Sequence, residues 1–221
     1  FGEGKEGGDR PMNLLLNELM ERYPSMKKCE RQILRAEEMI VDTYRKGGKI
    51  LVCGNGGSCA DADHIVGEMM KGFLLRRKMD EKCQERFQQA LGEEAQPLIE
   101  KLQCGIPALS LPSQSAVLSA FINDVDPELM YAQMVFGYGQ EHDLLIGLST
   151  SGNARNVTEA AKVAKALGIR SLALTGQKES RLSAICDCTI QVPETETFKI
   201  QELHLPVYHY LCAAAEQSIF G

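Results

Sequence analysis

The sequence predicts an α/β fold built on a parallel sheet of five strands. Five short apolar runs recur along the chain without polar alternation, which is typical of strands buried on both faces. They lie at 49–53, 107–111, 143–148, 171–174 and 188–192. Helical patterns fall between them at about 58–72, 113–137 and 154–167. This alternation favours a parallel sheet with helices on both of its faces.

Two further helices are predicted ahead of the first strand. Apolar stripes at helical spacing run from Met12 to Tyr44, and Pro24 divides them into two segments. These helices either pack on the sheet of their own chain or lie across a subunit interface, and the sequence leaves both arrangements open. Residues 1–11 are predominantly polar and glycine-rich, which predicts a flexible tail rather than a secretory signal.

Residues 76–103 predict a helical hairpin on the surface of a single domain that spans 12–221. The segment is rich in Glu, Gln and Lys, and its helical pattern is interrupted near Gly92 and Pro97. Its first residues are the basic triplet Arg76-Arg77-Lys78. We expect this triplet to be a solvated helix start, with a phosphate contact as the alternative.

Composition limits the classes of function. A length of 221 residues suits one domain. The 24 basic and 30 acidic residues give a net charge of −6, which argues against a general nucleic-acid binder with a basic face. No apolar run reaches the roughly 18 residues of a membrane-spanning helix, so no membrane partner is expected. Several of the eight cysteines lie in apolar runs, which favours a reducing cytoplasm.

Two turns rich in glycine and hydroxyl groups each follow a predicted strand and precede a helix. The first is Asn55-Gly56-Gly57-Ser58 and the second is Ser149-Thr150-Ser151-Gly152-Asn153. Backbone N–H groups at a helix N-terminus bind anions, and ligands of open α/β sheets gather beyond the carboxyl ends of the strands. Each turn alone fits a tight bend with a serine cap, but together the two turns predict a phosphate site.

Three of the four histidines lie in two helical segments beside carboxylates. His64 and Glu68 are four residues apart and therefore share a helix face. His204 and His209 follow Gln201 near the end of the chain, whereas His142 is expected at the surface. A His–Glu pair at this spacing is most often a simple ion pair, and a helical histidine is most often a packing residue. Their nearness to a predicted phosphate site favours a functional role.

Taken together, these motifs resemble the phosphoheptose isomerase family, also called sedoheptulose 7-phosphate isomerases, of the sugar isomerase (SIS) superfamily. The resemblance covers residues 12–218. It is carried by Asn55 to Ser58, Asp61-x-x-His64-x-x-x-Glu68, an Asn123-Asp124 pair, Ser149 to Asn153, and Ile200 to His209. It implies the flavodoxin-like SIS fold and a homotetramer with sites at subunit interfaces.

The resemblance also implies roles for individual residues. Glu68 and His209 match the catalytic acid/base pair. The implied substrate contacts are Asn55, Gly56, Gly57, Ser58, Asn123, Asp124, Ser149, Thr150, Ser151 and Gln201. Some members bind zinc, and the matching ligands for one ion are His64, Glu68, Gln201 and His209. Imidazole and carboxylate suit zinc, whereas an amide is a poorer ligand.

The implied activity is aldose–ketose isomerisation of sedoheptulose 7-phosphate to D-glycero-D-manno-heptose 7-phosphate through a cis-enediol, in heptose biosynthesis. Ala154 stands where the family commonly has a serine and Phe198 where it often has an aspartate, so an isomerase of another sugar phosphate is one alternative. The other is a non-catalytic SIS protein that binds a phosphosugar or associates with a replication initiator. Relatives of that second kind lack the histidine that matches His209, which favours the enzyme.

Overall fold

The computed structural model describes residues 11–221, with side chains from Leu14 onward. The predicted tail lies outside these residues except for Pro11, where the first helix begins. The predicted five-stranded parallel sheet is confirmed, with strand order β2-β1-β3-β4-β5. The strands are β1 (Ile50–Gly54), β2 (Ala108–Ser110), β3 (Leu144–Leu148), β4 (Arg170–Thr175) and β5 (Cys188–Gln191).

The helices lie before, between and after the strands. They are α1 (Pro11–Arg22), α2 (Glu30–Arg45), α3 (Gly57–Met70), α4 (Glu81–Leu91), α5 (Ala95–Lys101), α6 (Ser115–Asp124), α7 (Met130–Tyr138), α8 (Arg155–Ala166), α9 (Arg181–Ile185) and α10 (Thr197–Phe220). Between residues 11 and 221, none of them has the length and apolar character needed to cross a membrane.

Both faces of the sheet are covered, which explains why its strands show no polar alternation. Successive strand residues point to opposite faces. Ile50 and Val52 pack with α1, α2, α3 and α10, whereas Leu51 and Cys53 pack with α7, α8 and α9 on the other side. The two amino-terminal helices therefore pack in the core of their own chain.

The strand order places the two glycine-rich turns side by side. β1 pairs with β2 on one side and β3 on the other, and Val52 is in register with both Ser110 and Ile146. This order, 2-1-3-4-5, reverses direction at β1 and β3, where flavodoxin-like folds bind their ligands. The turns at 54–57 and 149–154 leave the sheet at this reversal.

The helical pattern over 113–137 forms two helices, α6 and α7, rather than one continuous helix. A short 3₁₀ turn, Pro127–Leu129, separates them. The fixed φ of proline suits the first position of a helical turn, and its missing N–H prevents continuation of the preceding helix. Asp126 accepts a hydrogen bond from the Glu128 N–H at 2.8 Å and so caps the new start.

Residues 76–103 form two short helices, α4 and α5, whose base is closed by an antiparallel bridge between Lys78 and Gln103. α4 begins at Glu81, where Asp80 caps it by accepting a hydrogen bond from the Cys83 N–H at 3.0 Å. The expectation that the basic triplet starts a solvated helix is therefore wrong. The triplet precedes the helix, and Arg77 is buried because it pairs with Glu216 of α10.

Candidate active site

The turn after β1 brings the start of α3 against α10. Gly56 has a φ of +58°, a conformation that glycine adopts without strain. A Cβ added to Gly57 would lie 2.5 Å from Gln201 Nε2, so the glycine allows the Gln201 amide to pack on the turn. Ser58 is buried and its side chain does not cap α3. The serine cap, which was the alternative for this turn, is not formed because the helix already begins at Gly57.

The turn after β3 is equally tight and is rich in hydrogen-bond donors. Ser149 Oγ accepts from the Ala154 N–H at 3.4 Å, and Ser151 Oγ accepts from the Asn153 N–H at 3.2 Å. Gly152 has a φ of +65°. The backbone of Thr150 is fixed at its carbonyl, which accepts from the Gly176 N–H at 3.0 Å. Hydroxyls and a helix N-terminus therefore meet at the carboxyl end of β3, as an anion site requires.

A pair of amides joins the first turn to the start of α8, the helix that follows the second turn. Asn55 Nδ2 donates to Asn156 Oδ1 at 2.8 Å, and Asn156 Nδ2 donates to Asn55 Oδ1 at 3.0 Å. The Tyr131 hydroxyl donates to the Gly54 carbonyl at 2.7 Å. Sequence reasoning missed Asn156, which lies just beyond the second motif. The second motif ends at Asn153, and no local sequence pattern marks Asn156.

Two histidines and a carboxylate meet between α3 and α10. His64 Nε2 lies 3.4 Å from Glu68 Oε1 and 3.4 Å from His209 Nε2. The two imidazole rings stand edge to face, with centroids 5.0 Å apart at 80°. Glu68 also pairs through Oε2 with Lys71 Nζ at 3.0 Å. The structure thus brings together three of the predicted residues, although His64 and His209 are far apart in the sequence.

A chain of hydrogen bonds orients His64. The Tyr208 hydroxyl donates to Asp61 Oδ1 at 3.1 Å and lies 3.1 Å from His64 Nδ1. Because the hydroxyl proton goes to the carboxylate, these partners assign the imidazole proton to Nδ1. Burial raises the pKa of Tyr208, which keeps the hydroxyl protonated. Nε2 of His64 is the ring nitrogen directed toward Glu68 and His209.

His209 lies at the edge of the cluster. Burial and the charge of His64 lower its pKa, while Glu68 opposes this effect. A neutral imidazole still carries one N–H group that it can donate. The Phe73 ring packs beside His209 with centroids 5.6 Å apart. The cluster therefore combines a carboxylate with an imidazole proton donor, the pair that general acid–base catalysis uses.

The zinc prediction can be compared with this geometry. Among residues 11–221, no group of three or more His, Cys, Asp and Glu side chains is arranged so that it could hold a metal ion. The donor atoms nevertheless have suitable chemistry. Imidazole nitrogen and carboxylate oxygen are the ligands that zinc uses, and His64 Nε2 lies 3.4 Å from both Glu68 Oε1 and His209 Nε2, but the set as arranged here is not a complete metal site.

Other predicted residues lie apart from the cluster. Asn123 and Asp124 are exposed at the end of α6, and Asn123 Nδ2 donates to Asp124 Oδ1 at 2.7 Å. Within the part of the chain that the structure covers, neither hydrogen-bonds to the two turns. His204 is fully buried with Nε2 3.4 Å from the Thr175 carbonyl oxygen, and His142 is exposed.

Comparisons with known proteins agree with the fold and the motifs. Residues 16–90 and 110–213 match the SIS domain, so the chain is a SIS-domain protein. It is 34% identical over 196 residues to the phosphoheptose isomerase of Aneurinibacillus thermoaerophilus, covering 87% of this chain and 86% of that relative. The chain belongs to the phosphoheptose isomerase family, as the motifs predicted.

Two solved structures extend this similarity to three dimensions. The phosphoheptose isomerase of Francisella tularensis has a TM-score of 0.73 at 25% identity, over 93% of this chain and 96% of that one. The phosphoheptose isomerase of Neisseria gonorrhoeae has a TM-score of 0.67 at 28% identity, over 91% and 97%.

Proposed function

We propose that this chain is an aldose–ketose isomerase that converts sedoheptulose 7-phosphate to D-glycero-D-manno-heptose 7-phosphate. The observation that carries the proposal is the cluster of Glu68, His64 and His209 beside the crevice at β1 and β3. The relatives' activity on a phosphorylated heptose, given by their names, supports this substrate class. The two turns would bind the phosphate, and Gln201 packs on the first of them at Gly57.

The proposed reaction moves one proton between C1 and C2 through a cis-enediol. The Glu68 carboxylate takes the proton from C1, and His209 donates its N–H proton to the C2 oxygen, which gives the enediol. Glu68 then returns its proton to C2, and His209 takes the hydroxyl proton from the C1 oxygen, which becomes the aldehyde carbonyl, so both residues end in their starting protonation states. His64, oriented by Tyr208 and Asp61, holds the His209 imidazole in place. Positioned acid and base groups contribute about 10²–10⁴-fold to a rate.

The test is NMR of a panel of ketose and aldose phosphates incubated with the parent protein, Glu68→Gln and His209→Asn. Glu159→Gln is a matched control, because Glu159 pairs with Lys162 at 2.8 Å as Glu68 pairs with Lys71. We expect turnover to fall about 10²–10⁴-fold in the first two variants and to persist in the control. In D₂O, an enediol route places solvent deuterium on the product carbon.

Two results would contradict the proposal. Folded Glu68→Gln that turns over as fast as the parent excludes the assigned base. Saturable phosphosugar binding without turnover by the parent supports the non-catalytic alternative. Turnover of a different sugar phosphate in the panel would retain the reaction and change the substrate.

Zinc is a further part of the proposal. His64, Glu68 and His209 would hold the ion, with Gln201 as a weaker fourth ligand. When bound, zinc polarises a carbonyl and stabilises the charge of an enediolate. We expect calorimetry on chelator-treated protein to show one zinc site per chain that His64→Gln weakens and His142→Gln leaves unchanged. Equal zinc affinity in both variants would exclude this ligand set.

The oligomer and the compartment complete the proposal. A groove of about 430 Å³ between α1, α10 and residues 73–74 opens at His209 and is lined by apolar side chains such as Leu15, Leu74 and Leu205. A second copy seated there would place its own residues beside the site, as the proposed homotetramer with sites at subunit interfaces requires. Burial of many of the eight thiols supports a reducing cytoplasm.

A further inference from the structure

One buried ion pair ties the segment after α3 to the end of α10. The side chains of Arg77 and Glu216 are both 0% exposed, and Arg77 Nε lies 2.7 Å from Glu216 Oε1. Two charges removed from water are costly unless additional hydrogen bonds satisfy their remaining donors and acceptors. The groups that hydrogen-bond to this pair belong to the segments that carry Glu68 and contact His209.

Arg77 binds the carboxyl end of the helix that carries Glu68. Arg77 Nη1 donates to the Met69 carbonyl at 2.5 Å, and Nη2 donates to the Glu68 carbonyl at 3.0 Å. The last carbonyls of a helix have no partner within it, and positive charge is favourable there. The guanidinium therefore fixes the backbone of the turn from which the Glu68 side chain extends.

Glu216 binds the segment that packs on His209. Its carboxylate accepts hydrogen bonds from the N–H groups of Phe73, Leu74 and Leu75 at 2.6–2.9 Å. Burial raises the pKa of Glu216, but these N–H groups and Arg77 outweigh it and hold the pKa below its ordinary value. With its backbone fixed, Phe73 places its ring 5.6 Å from the His209 ring.

We propose that Arg77 and Glu216 are positioning residues for the acid/base pair. Through one ion pair, Arg77 holds Glu68 by its main chain, and Glu216 holds His209 through Phe73. The inference rests on the proposed function for what Glu68 and His209 do. The geometry it predicts can be measured without turnover.

The test compares Arg77→Lys and Glu216→Gln with Asp143→Asn. Asp143 is a matched control because it is also a buried carboxylate with several partners: it accepts from the Lys49 N–H at 2.8 Å, Lys49 Nζ at 2.6 Å and the Gln140 N–H at 2.8 Å. It precedes β3 and therefore lies at the amino ends of the strands, whereas the site lies beyond their carboxyl ends. The readouts are the NMR signals of the four histidine rings, kcat and KM for the phosphosugar, and the unfolding midpoint.

We expect the His209 ring signal to move in Arg77→Lys and Glu216→Gln but not in Asp143→Asn. We expect kcat to fall about 10- to 100-fold in the first two, as small misplacements of reacting groups do, with KM within about twofold because the phosphate turns lie on other elements. A purely structural role would lower the unfolding midpoint of all three variants and leave the His209 signal and kcat unchanged, which would overturn the proposal.

Two further measurements keep the outcome decisive. If neither pair variant folds, Phe73→Leu tests the His209 contact alone, and an unmoved His209 signal there overturns the proposal. If the parent itself has no isomerase activity, the proposed function fails. The His209 signal in the pair variants still decides whether the ion pair positions that ring.

Discussion

His204 and His209 lie five residues apart on α10 in very different surroundings. His204 is fully buried, and its Nδ1 has no hydrogen-bond partner among the described atoms. Burial lowers the pKa of His204 to about 4, from an ordinary value of 6.5. His209 is only half-buried and faces His64. Of these two histidines, only His209 is therefore placed to exchange a proton with a ligand.

The buried His204 predicts a specific loss of stability in acid. His204 becomes protonated below about pH 6.5 in the unfolded chain but only below about pH 4 in the folded chain. The contribution of neutral His204 to the free energy of unfolding is therefore intact above pH 6.5 and is lost as the pH falls. Between pH 6.5 and 5 we expect the parent to lose about 2 kcal/mol from this group. Urea unfolding should show a smaller loss in His204→Gln, and an unchanged loss in the exposed control His142→Gln. Equal losses in all three proteins would contradict the assignment.

The sequence could identify some residues of the site but not their long-range partners. The spacing of His64 and Glu68 placed them on one helix face, and the structure confirms that they are adjacent. Tyr208, which orients His64, lies 144 residues away. The partner of Arg77 lies 139 residues away, so the triplet was expected to face solvent. Periodicity reports neighbours along one element and cannot report contacts between distant ones.

Helix α10 connects the separate parts of the site. It presents Gln201 to the turn after β1, Tyr208 and His209 to the cluster, and Glu216 to Arg77. These side chains meet their partners along several turns of one continuous helix. A substitution that moves the Gln201 end of α10 should therefore affect substrate binding before it affects the fold.

Gly57→Ala tests that contact. The added Cβ would lie 2.5 Å from Gln201 Nε2, which is the far end of a flexible side chain and can move away. We expect KM for the phosphosugar to rise about tenfold, the equivalent of roughly one or two hydrogen bonds, with kcat less affected. Gly67→Ala is the control on the same helix, because a Cβ there meets nothing within 4 Å. Steady-state kinetics that show the same KM for both variants would remove Gln201 from the binding site.

At the scale of the whole molecule, the sequence predicted the sheet but not which apolar side chains lie exposed on the protein surface. Unbroken apolar runs such as 49–53 marked the five strands because burial on both faces removes polar alternation. The residues themselves did not give the strand order, since pairing depends on contacts between distant runs. The pattern of apolar residues also did not indicate which apolar side chains would be exposed. Leu74 is 61% exposed and Leu205 is 40% exposed, both on the groove that opens at His209.

That groove predicts assembly through a second copy of the chain. Exposed apolar patches of this kind mark interaction sites, and a charge placed in one opposes association. We expect the parent to sediment as a tetramer and Leu205→Lys to sediment as smaller species. The variant should also lose isomerase activity, because His209 lines the same groove. Leu98→Lys is the matched control, since Leu98 is 41% exposed on α5, away from the groove. A Leu205→Lys protein that sediments and turns over like the Leu98→Lys protein would show that this face is not the subunit interface.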